Sequence, residues 1–311
     1  MKIVNSLFKQ KNCPVCGSQA FKIISHATYP KNINKDELMD MYSSSSDHIL
    51  MDQLVECSNC SMKYINPQVI DDIIFKSYED AVDPTFIKQN LLRIATFKRN
   101  LKKISYRLKI TPSSNIKVLD IGCAGGAFPY AANELGFSVI GVEPSLWLAN
   151  KAKEEYNLDI RPGSLKSQDF QSNTFNIITL WDVIEHLTDP VDVLEDIQKV
   201  LKKNGLVIIN YPNYNSLARF LLRKKWPFFL SVHLSYFTPK TIKILMDKNN
   251  FEVLSSRPYW QTLELEYILE RASAYFKFFK ILTKIIKFLG LEKFPIRYNM
   301  GQTLVVARKK S

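Results

Sequence analysis

Apolar residues along this chain change period several times. From residue 118 onward, short and almost wholly apolar runs alternate with stretches in which apolar residues recur every three or four positions. The runs read as strands buried on both faces, and the stretches as helices that cover them. Strands are predicted at 118–121, 138–142, near 159–161, 175–180, 206–211, 251–256 and 303–307. Helices are predicted at 127–135, 145–156 and 191–201, and from Thr238-Pro239, which cap and open one, to about Asp247. Upstream, Asp83-Pro84 opens a long helical stretch with Phe86, Leu91, Leu92, Ile94, Phe97, Leu101, Ile104 and Leu108 at helical spacing, ended by Pro112. Alternating strands and helices imply a parallel sheet covered on both faces. Residues 1 to about 80 differ, with short strand-like pieces such as 21–24, a polar loop, and an exit through 65–68 and 77–80.

The first sheet strand runs into Asp120-Ile-Gly-Cys-Ala-Gly-Gly126, and the second ends on Glu143. Strand, glycine turn, helix, strand and acid build a nucleotide-sized pocket at the carboxyl ends of parallel strands. A dinucleotide fingerprint would need glycines two and five positions after Gly122, where Ala124 and Ala127 stand instead. Asp120, two positions before Gly122, would oppose a pyrophosphate at this helix start and suits a cation, such as the ammonium of a methionine moiety. Glu143 suits a ribose with free hydroxyls; the plainer reading is an acid at the N-terminus of a helix.

Two pairs, Cys13-Pro-Val-Cys16 and Cys57-Ser-Asn-Cys60, match the four thiolates of a tetrahedral zinc site. With no coordination position open, such a site is structural. His26 or His48 as a substitute ligand, and free or redox-active thiols, are the competing readings. Cys123, in the glycine turn, reads as a small buried filler.

These motifs resemble the class I S-adenosylmethionine-dependent methyltransferases, closest to the branch of ubiquinone-type O-methyltransferases and sugar-pathway methyltransferases. The resemblance runs from Lys117 to the end, through Leu180-Trp-Asp-Val-Ile-Glu-His-Leu-Thr-Asp-Pro190, Tyr211-Pro-Asn213 and His233-Leu-Ser-Tyr-Phe-Thr-Pro239. It implies an α/β fold: a Rossmann-like seven-stranded sheet, last strand antiparallel, with helices on both faces and a small zinc-binding domain in front. The expected division is 1–83 for the zinc module and 84–311 for the methyltransferase domain. The resemblance also implies that Asp120, Gly122 and Gly126 line the methionine end, Glu143 binds both ribose hydroxyls, Leu165 flanks the adenine and Trp181 closes over the ligand. Core packing is the equal alternative for Trp181. Two departures stand out. Ala124 replaces a usual glycine and favours φ below zero. The loop Gly163-Ser-Leu165 lacks the frequent aspartate.

For the chemistry, His186 sits just past the fourth strand, and an imidazole of pKa about 6.5 takes a proton from an acceptor hydroxyl at neutral pH. Glu185 would orient it or face solvent. His233 and Tyr236 lie in a late loop expected to close on the acceptor, with a loop anchor as the alternative, and Tyr78 would form a lid. The expected reaction is methyl transfer to a small molecule, a sugar nucleotide or a polysaccharide or lipid-linked precursor.

Charge adds one further feature. The formal total of +12 is concentrated late: residues 213–240 hold five Lys and Arg and no acid, and residues 271–311 hold ten against Glu292 alone. That suits an anionic acceptor or a membrane surface as well as it suits nucleic acid. The fourth strand lacks the Asn/Asp-Pro-Pro-aromatic step of base-amine methylation, which counts against an RNA methyltransferase. A noncatalytic binding module and a nicotinamide enzyme are the other rivals. No apolar run reaches the roughly 20 residues of a membrane span, and the polar start suggests a cytoplasmic protein. In 272–289, Lys277, Lys280, Lys284 and Lys287 form a helical stripe among many apolar residues. This is an amphipathic lid or interface helix, packed on the domain or a second subunit, or else set into an anionic membrane interface at its inner face.

Overall fold

The computed structural model describes residues 6–30, 32–43, 48–273, 276 and 278–310. Seven strands form the main sheet: β1 (Lys117–Ile121), β2 (Ser138–Glu143), β3 (Ile160–Pro162), β4 (Phe175–Trp181), β5 (Leu201–Pro212), β6 (Phe251–Pro258) and β7 (Gln302–Lys309). Their spatial order is β6-β7-β5-β4-β1-β2-β3. Neighbours from β5 to β3 run parallel, and β7 runs antiparallel to both β5 and β6. All seven predicted strands are present. The succession of strands reverses between β4 and β1, so the crevice above their carboxyl ends is the binding position of an open α/β sheet.

The principal helices are α1 (Asn90–Leu108), α2 (Ala127–Asn133), α3 (Leu146–Tyr156), α4 (Pro190–Val200), α5 (Pro239–Lys248), α6 (Leu265–Ser273) and α7 (Phe278–Phe288). Adjacent strand residues point to opposite faces, so both faces must find apolar cover. Leu119, Ile178, Val207 and Ile209 pack with Leu194 and Ile197 of α4 and Leu245 of α5. Val118, Ile177 and Ile208 pack with Leu101 and Ile104 of α1 and Phe128 of α2. This double burial is why the strands read as continuous apolar runs.

The predicted helix from Pro84 is interrupted: a short helix Pro84–Lys88 precedes α1, with Gln89 between them. The expected helix at 272–289 is likewise two pieces, α6 and α7, which pack on each other. Lys277, expected on its lysine stripe, lies outside the described residues.

The N-terminal part carries a second sheet of four strands, ordered Ser235–Tyr236, Lys63–Ile65, Leu54–Cys57, Phe21–Ser25. The strand Ser235–Tyr236 comes from the loop after β5 and pairs antiparallel with Lys63 and Tyr64. Two helices absent from the sequence reading, Lys35–Tyr42 and Asp71–Glu79, bury Leu38, Met41, Tyr42, Ile73 and Ile74 together with Leu234 of the same loop. Cys13, Val15, Cys57, Met62 and Tyr64 share one apolar cluster with the central sheet. The N-terminal part therefore packs continuously on the α/β domain.

Candidate active site

The turn after β1 is shaped by Glu143. The Ala124 N–H donates to Glu143 Oε2 at 2.7 Å and the Ser145 N–H to Oε1 at 2.9 Å. One carboxylate at the end of β2 thus clamps the glycine turn to the start of α3. The clamp explains a correction: Ala124, expected at negative φ, sits at φ 46. The hydrogen bond to a buried acid offsets the small penalty of the left-handed region for alanine. Gly122 has φ 68, and a Cβ there would lie 2.7 Å from the Val183 side chain; Gly126 has φ 78, and a Cβ would lie 2.8 Å from that of Ala152. Glycine is required at both. Cys123 is buried behind the turn, as expected of a filler.

Asp120 is buried and accepts a hydrogen bond from the Thr179 hydroxyl at 2.6 Å. Burial pushes its carboxyl well above the usual range, and the Glu143 charge adds to this. Burial raises Glu143 itself to about 7, against the two backbone N–H groups that favour its anion. Burial thus disfavours the anion at both carboxyls, and a cation beside them would favour it. Asn90, at the start of α1, donates to the Gly125 carbonyl at 3.0 Å, so the helix before the sheet covers the turn.

Trp181 ends β4 in an aromatic stack with Phe97 (4.9 Å), Phe128 (5.2 Å) and Tyr259 (5.7 Å between centroids). Its indole Nε1 is buried without a hydrogen-bond partner. Leu165 is buried and joins the main apolar cluster beside the short helical turn Leu165–Ser167.

Past Trp181 the chain turns sharply at Asp182, with φ 54. Its carboxylate accepts from Asn210 Nδ2 and Gln302 Nε2, both at 2.7 Å. Burial raises Asp182 to about 6, opposed by the bond from Gln302 and the charge of Arg93. Sequence reasoning missed Arg93, on α1. Its guanidinium lies 3.8 Å from the Phe86 ring, and its Nε is buried without a partner. Its charge reaches Asp83, Asp182, Tyr259, Tyr267 and Tyr298.

His186 follows on a helical turn Ile184–His186. Its Nδ1 lies 3.0 Å from the Val232 carbonyl and 2.7 Å from the Tyr78 hydroxyl. A carbonyl only accepts, so Nδ1 carries the proton and Nε2 keeps its lone pair. His233 is held the same way, Nδ1 to the Phe228 carbonyl at 2.8 Å, and the two rings stand 4.7 Å apart, edge to face. Burial lowers His186 to about 4, well below the ordinary value on which a base at neutral pH was expected. His233 is lowered as well, by burial first and by His186 second. Glu185, for which solvent was one expectation, is buried with neither carboxylate oxygen hydrogen-bonded. Ligand atoms of Glu185, His186 and His233 lie within 4.8 Å of one another. The Tyr236 hydroxyl donates to the Leu230 carbonyl at 3.0 Å from the fourth strand of the N-terminal sheet, and its ring stands 6.3 Å from that of His233, edge to face.

The four cysteines converge. Cys13 Sγ lies 3.5 Å from Cys60 Sγ and Cys16 Sγ 3.5 Å from Cys57 Sγ, with all four within 4.8 Å of one another. A tetrahedron with sulfurs about 2.3 Å from a central zinc has edges of about 3.8 Å. The donor set fits that ion.

The profile of the methyltransferase domain matches residues 84–256, more than half the chain. The chain belongs to this family, the methyltransferases. It is 34% identical over 130 residues to the ubiquinone biosynthesis O-methyltransferase of Pelagibacter ubique, covering 39% of this chain and 52% of that protein. Against the enzyme of the same name from Glaesserella parasuis it is 31% identical over 116 residues, covering 34% and 49%. The chain thus spans about half the length of these curated relatives. Among solved structures, a SAM-dependent methyltransferase from Archaeoglobus fulgidus superposes with a TM-score of 0.46 at 17% identity, over 68% of this chain and 94% of that one.

Proposed function

We propose that the protein transfers a methyl group from S-adenosylmethionine to an oxygen of a small-molecule acceptor. The observation that carries this is the set of buried polar atoms without partners around one crevice: Asn90 Oδ1, Arg93 Nε, Trp181 Nε1 and Asn210 Oδ1, beside the clamped Glu143. Buried polar groups are rarely left unpaired unless something else satisfies them. A zwitterionic amino-acid tail does so here: Asp120 answers its ammonium and Arg93 its carboxylate. Glu143 keeps lone pairs for the ribose hydroxyls, Gly122 and Gly126 keep the turn close, and Leu165 and Trp181 supply apolar cover. A pyrophosphate would meet two carboxylates instead, which speaks against a nicotinamide dinucleotide.

When bound, the sulfonium supplies an electrophilic methyl; its bond to sulfur breaks as the bond to the acceptor oxygen forms, and the acceptor proton departs. His186 is the proposed proton acceptor through Nε2, oriented by the Val232 carbonyl and Tyr78. Neutral at pH 7, it is free to accept, but its low basicity makes alignment and desolvation the larger contributions. His233 positions the acceptor beside it, and Tyr236 anchors the loop that carries both His233 and Val232. The names of the relatives speak for oxygen as the accepting atom. The four-cysteine module, frequent in sugar-pathway methyltransferases, speaks for a sugar nucleotide or a polysaccharide or lipid-linked precursor. Zinc held by Cys13, Cys16, Cys57 and Cys60 would brace that module and do no chemistry.

Calorimetry with S-adenosylmethionine and with NAD separates the readings. Stoichiometric binding of the first and none of the second supports the proposal; the reverse overturns it. Release of S-adenosylhomocysteine against a panel of sugar nucleotides and phenols then identifies the acceptor.

A further inference from the structure

A surface helix ordinarily turns its apolar side inward. α7 does so only in part. Thr283 and Ile286 are buried, while Phe278, Ile281, Ile285 and Phe288 stay exposed, Phe288 at 89%. Their spacing of three, four and three residues puts them in one stripe along the helix. Lys280 and Lys284 run beside it, both exposed. Next to α7 lies a second exposed apolar element. Lys225 reaches over the Phe276 ring at 4.3 Å, which places the chain leading into α7 against the turn Arg223–Lys225. That turn follows the helix Leu217–Leu222, whose Leu217, Phe220 and Leu221 are each about two-thirds exposed or more, Phe220 at 68%. Arg223, Lys224 and Lys225 are exposed at its end. Large apolar side chains exposed on two elements joined through the Lys225–Phe276 contact exceed what a solvated surface ordinarily carries.

We infer that α7 and the helix Leu217–Leu222 together dock the protein on an anionic lipid surface, with the aromatic and aliphatic side chains in the headgroup boundary and the basic residues at the phosphates. Charge selects this occupant. Residues 213–240 contain no acid and residues 271–311 only Glu292, while Glu266 and Glu270 of the adjoining α6 are paired with Lys287. A second copy of the chain would bring this basic face against itself, since a two-fold contact pairs identical patches. An anionic bilayer supplies the opposite sign and an apolar interior at once. α6, the partner of α7, begins next to Glu264, which accepts from Gln89 Nε2 at 2.9 Å, one residue before the Asn90 that donates to the glycine turn. Docking would thus bring the mouth of the site toward the headgroups. The inference stands on surface residues and does not depend on the methyl-transfer reading.

Flotation of the full chain with phosphatidylcholine vesicles, with and without phosphatidylglycerol, tests it. Expected is binding to the anionic vesicles only, lost at high salt. Lys280→Ala with Lys284→Ala weakens it roughly 25-fold, at about fivefold per lysine. Ile281→Ser with Phe288→Ser removes it, while cofactor binding by calorimetry and the melting temperature hold. No binding to anionic vesicles, or equal binding to neutral ones, overturns the inference. So does a dimer in light scattering that Phe288→Ser dissolves, for then a second copy covers the face.

Discussion

Lowering the pH from about 8 to about 6 perturbs one carboxyl at the proposed cofactor site more than any other. Burial raises Glu143 from 4.5 to about 7, although the Ser145 and Ala124 N–H groups favour its anion. Ribose hydroxyls donating to it would favour the anion further, so the cofactor should bind the ionised protein. The ionised fraction is about 90% one unit above the pKa and about 10% one unit below it. Apparent affinity follows the competent fraction, so the dissociation constant should rise roughly tenfold across that interval. The sign follows from the direction of the shift: the group is raised in the free protein, so affinity is lost as pH falls through 7 and levels off above it. Asp120 is raised too, also by burial first, and adds in the same direction. Glu143→Gln abolishes this titration and loses a charged hydrogen-bond acceptor, about 1.5–3 kcal/mol, or roughly 10- to 150-fold in affinity at about pH 8. Isothermal titration calorimetry in buffers of different ionisation enthalpy reads both the affinity and the protons released. A wild-type dissociation constant that stays level over this range, or a Glu143→Gln variant that binds like wild type at the upper end, would refute the reasoning.

Three further outcomes are expected. Purified protein carries about one zinc per chain by elemental analysis, and Cys57→Ser loses it together with several degrees of melting temperature; folded wild type without metal rejects the site. His186→Ala lowers kcat about 10²- to 10⁴-fold with cofactor affinity retained. With saturating cofactor, the wild-type profile shows no inflection near 6.5 and falls only toward 4, because burial lowers His186 to about 4; an inflection near 6.5 that His186→Ala removes would refute the depressed basicity. Arg93→Leu weakens cofactor binding by about 1.5–3 kcal/mol while leaving the zinc content unchanged; unchanged affinity would remove Arg93 from the site.

The seven sheet strands were legible because burial on both faces writes each as an apolar run, and the glycine turn because Gly122 and Gly126 have no room for a Cβ. The convergence of the cysteines was legible for a different reason: two matched pairs of thiols, each three positions apart, point to a shared ion. The helices Lys35–Tyr42 and Asp71–Glu79 escaped because eight and nine residues hold barely two turns of periodicity, too little to distinguish from a loop. Ala124 adopted a conformation that its type disfavours because Glu143, nineteen residues away, holds its N–H. Arg93 was hidden for a similar reason. Nothing local separates an arginine beneath a neighbouring helix from one in water. α7 shows the opposite failure: its apolar stripe was legible, but which side would be covered depends on α6, far from it in any local window.

The strand Ser235–Tyr236 completes a sheet that otherwise ends by Ile65. On the ribosome, the first three strands emerge long before the fourth. At about 5–20 residues per second, the wait is on the order of ten to thirty seconds. During that interval the four cysteines sit in an unfinished frame, with the edge of Lys63–Ile65 open to any passing strand. A fragment cut after the first 83 residues would remain permanently in that unfinished condition. Grafting this module onto another enzyme would therefore require carrying along the loop with Ser235–Tyr236 that closes it.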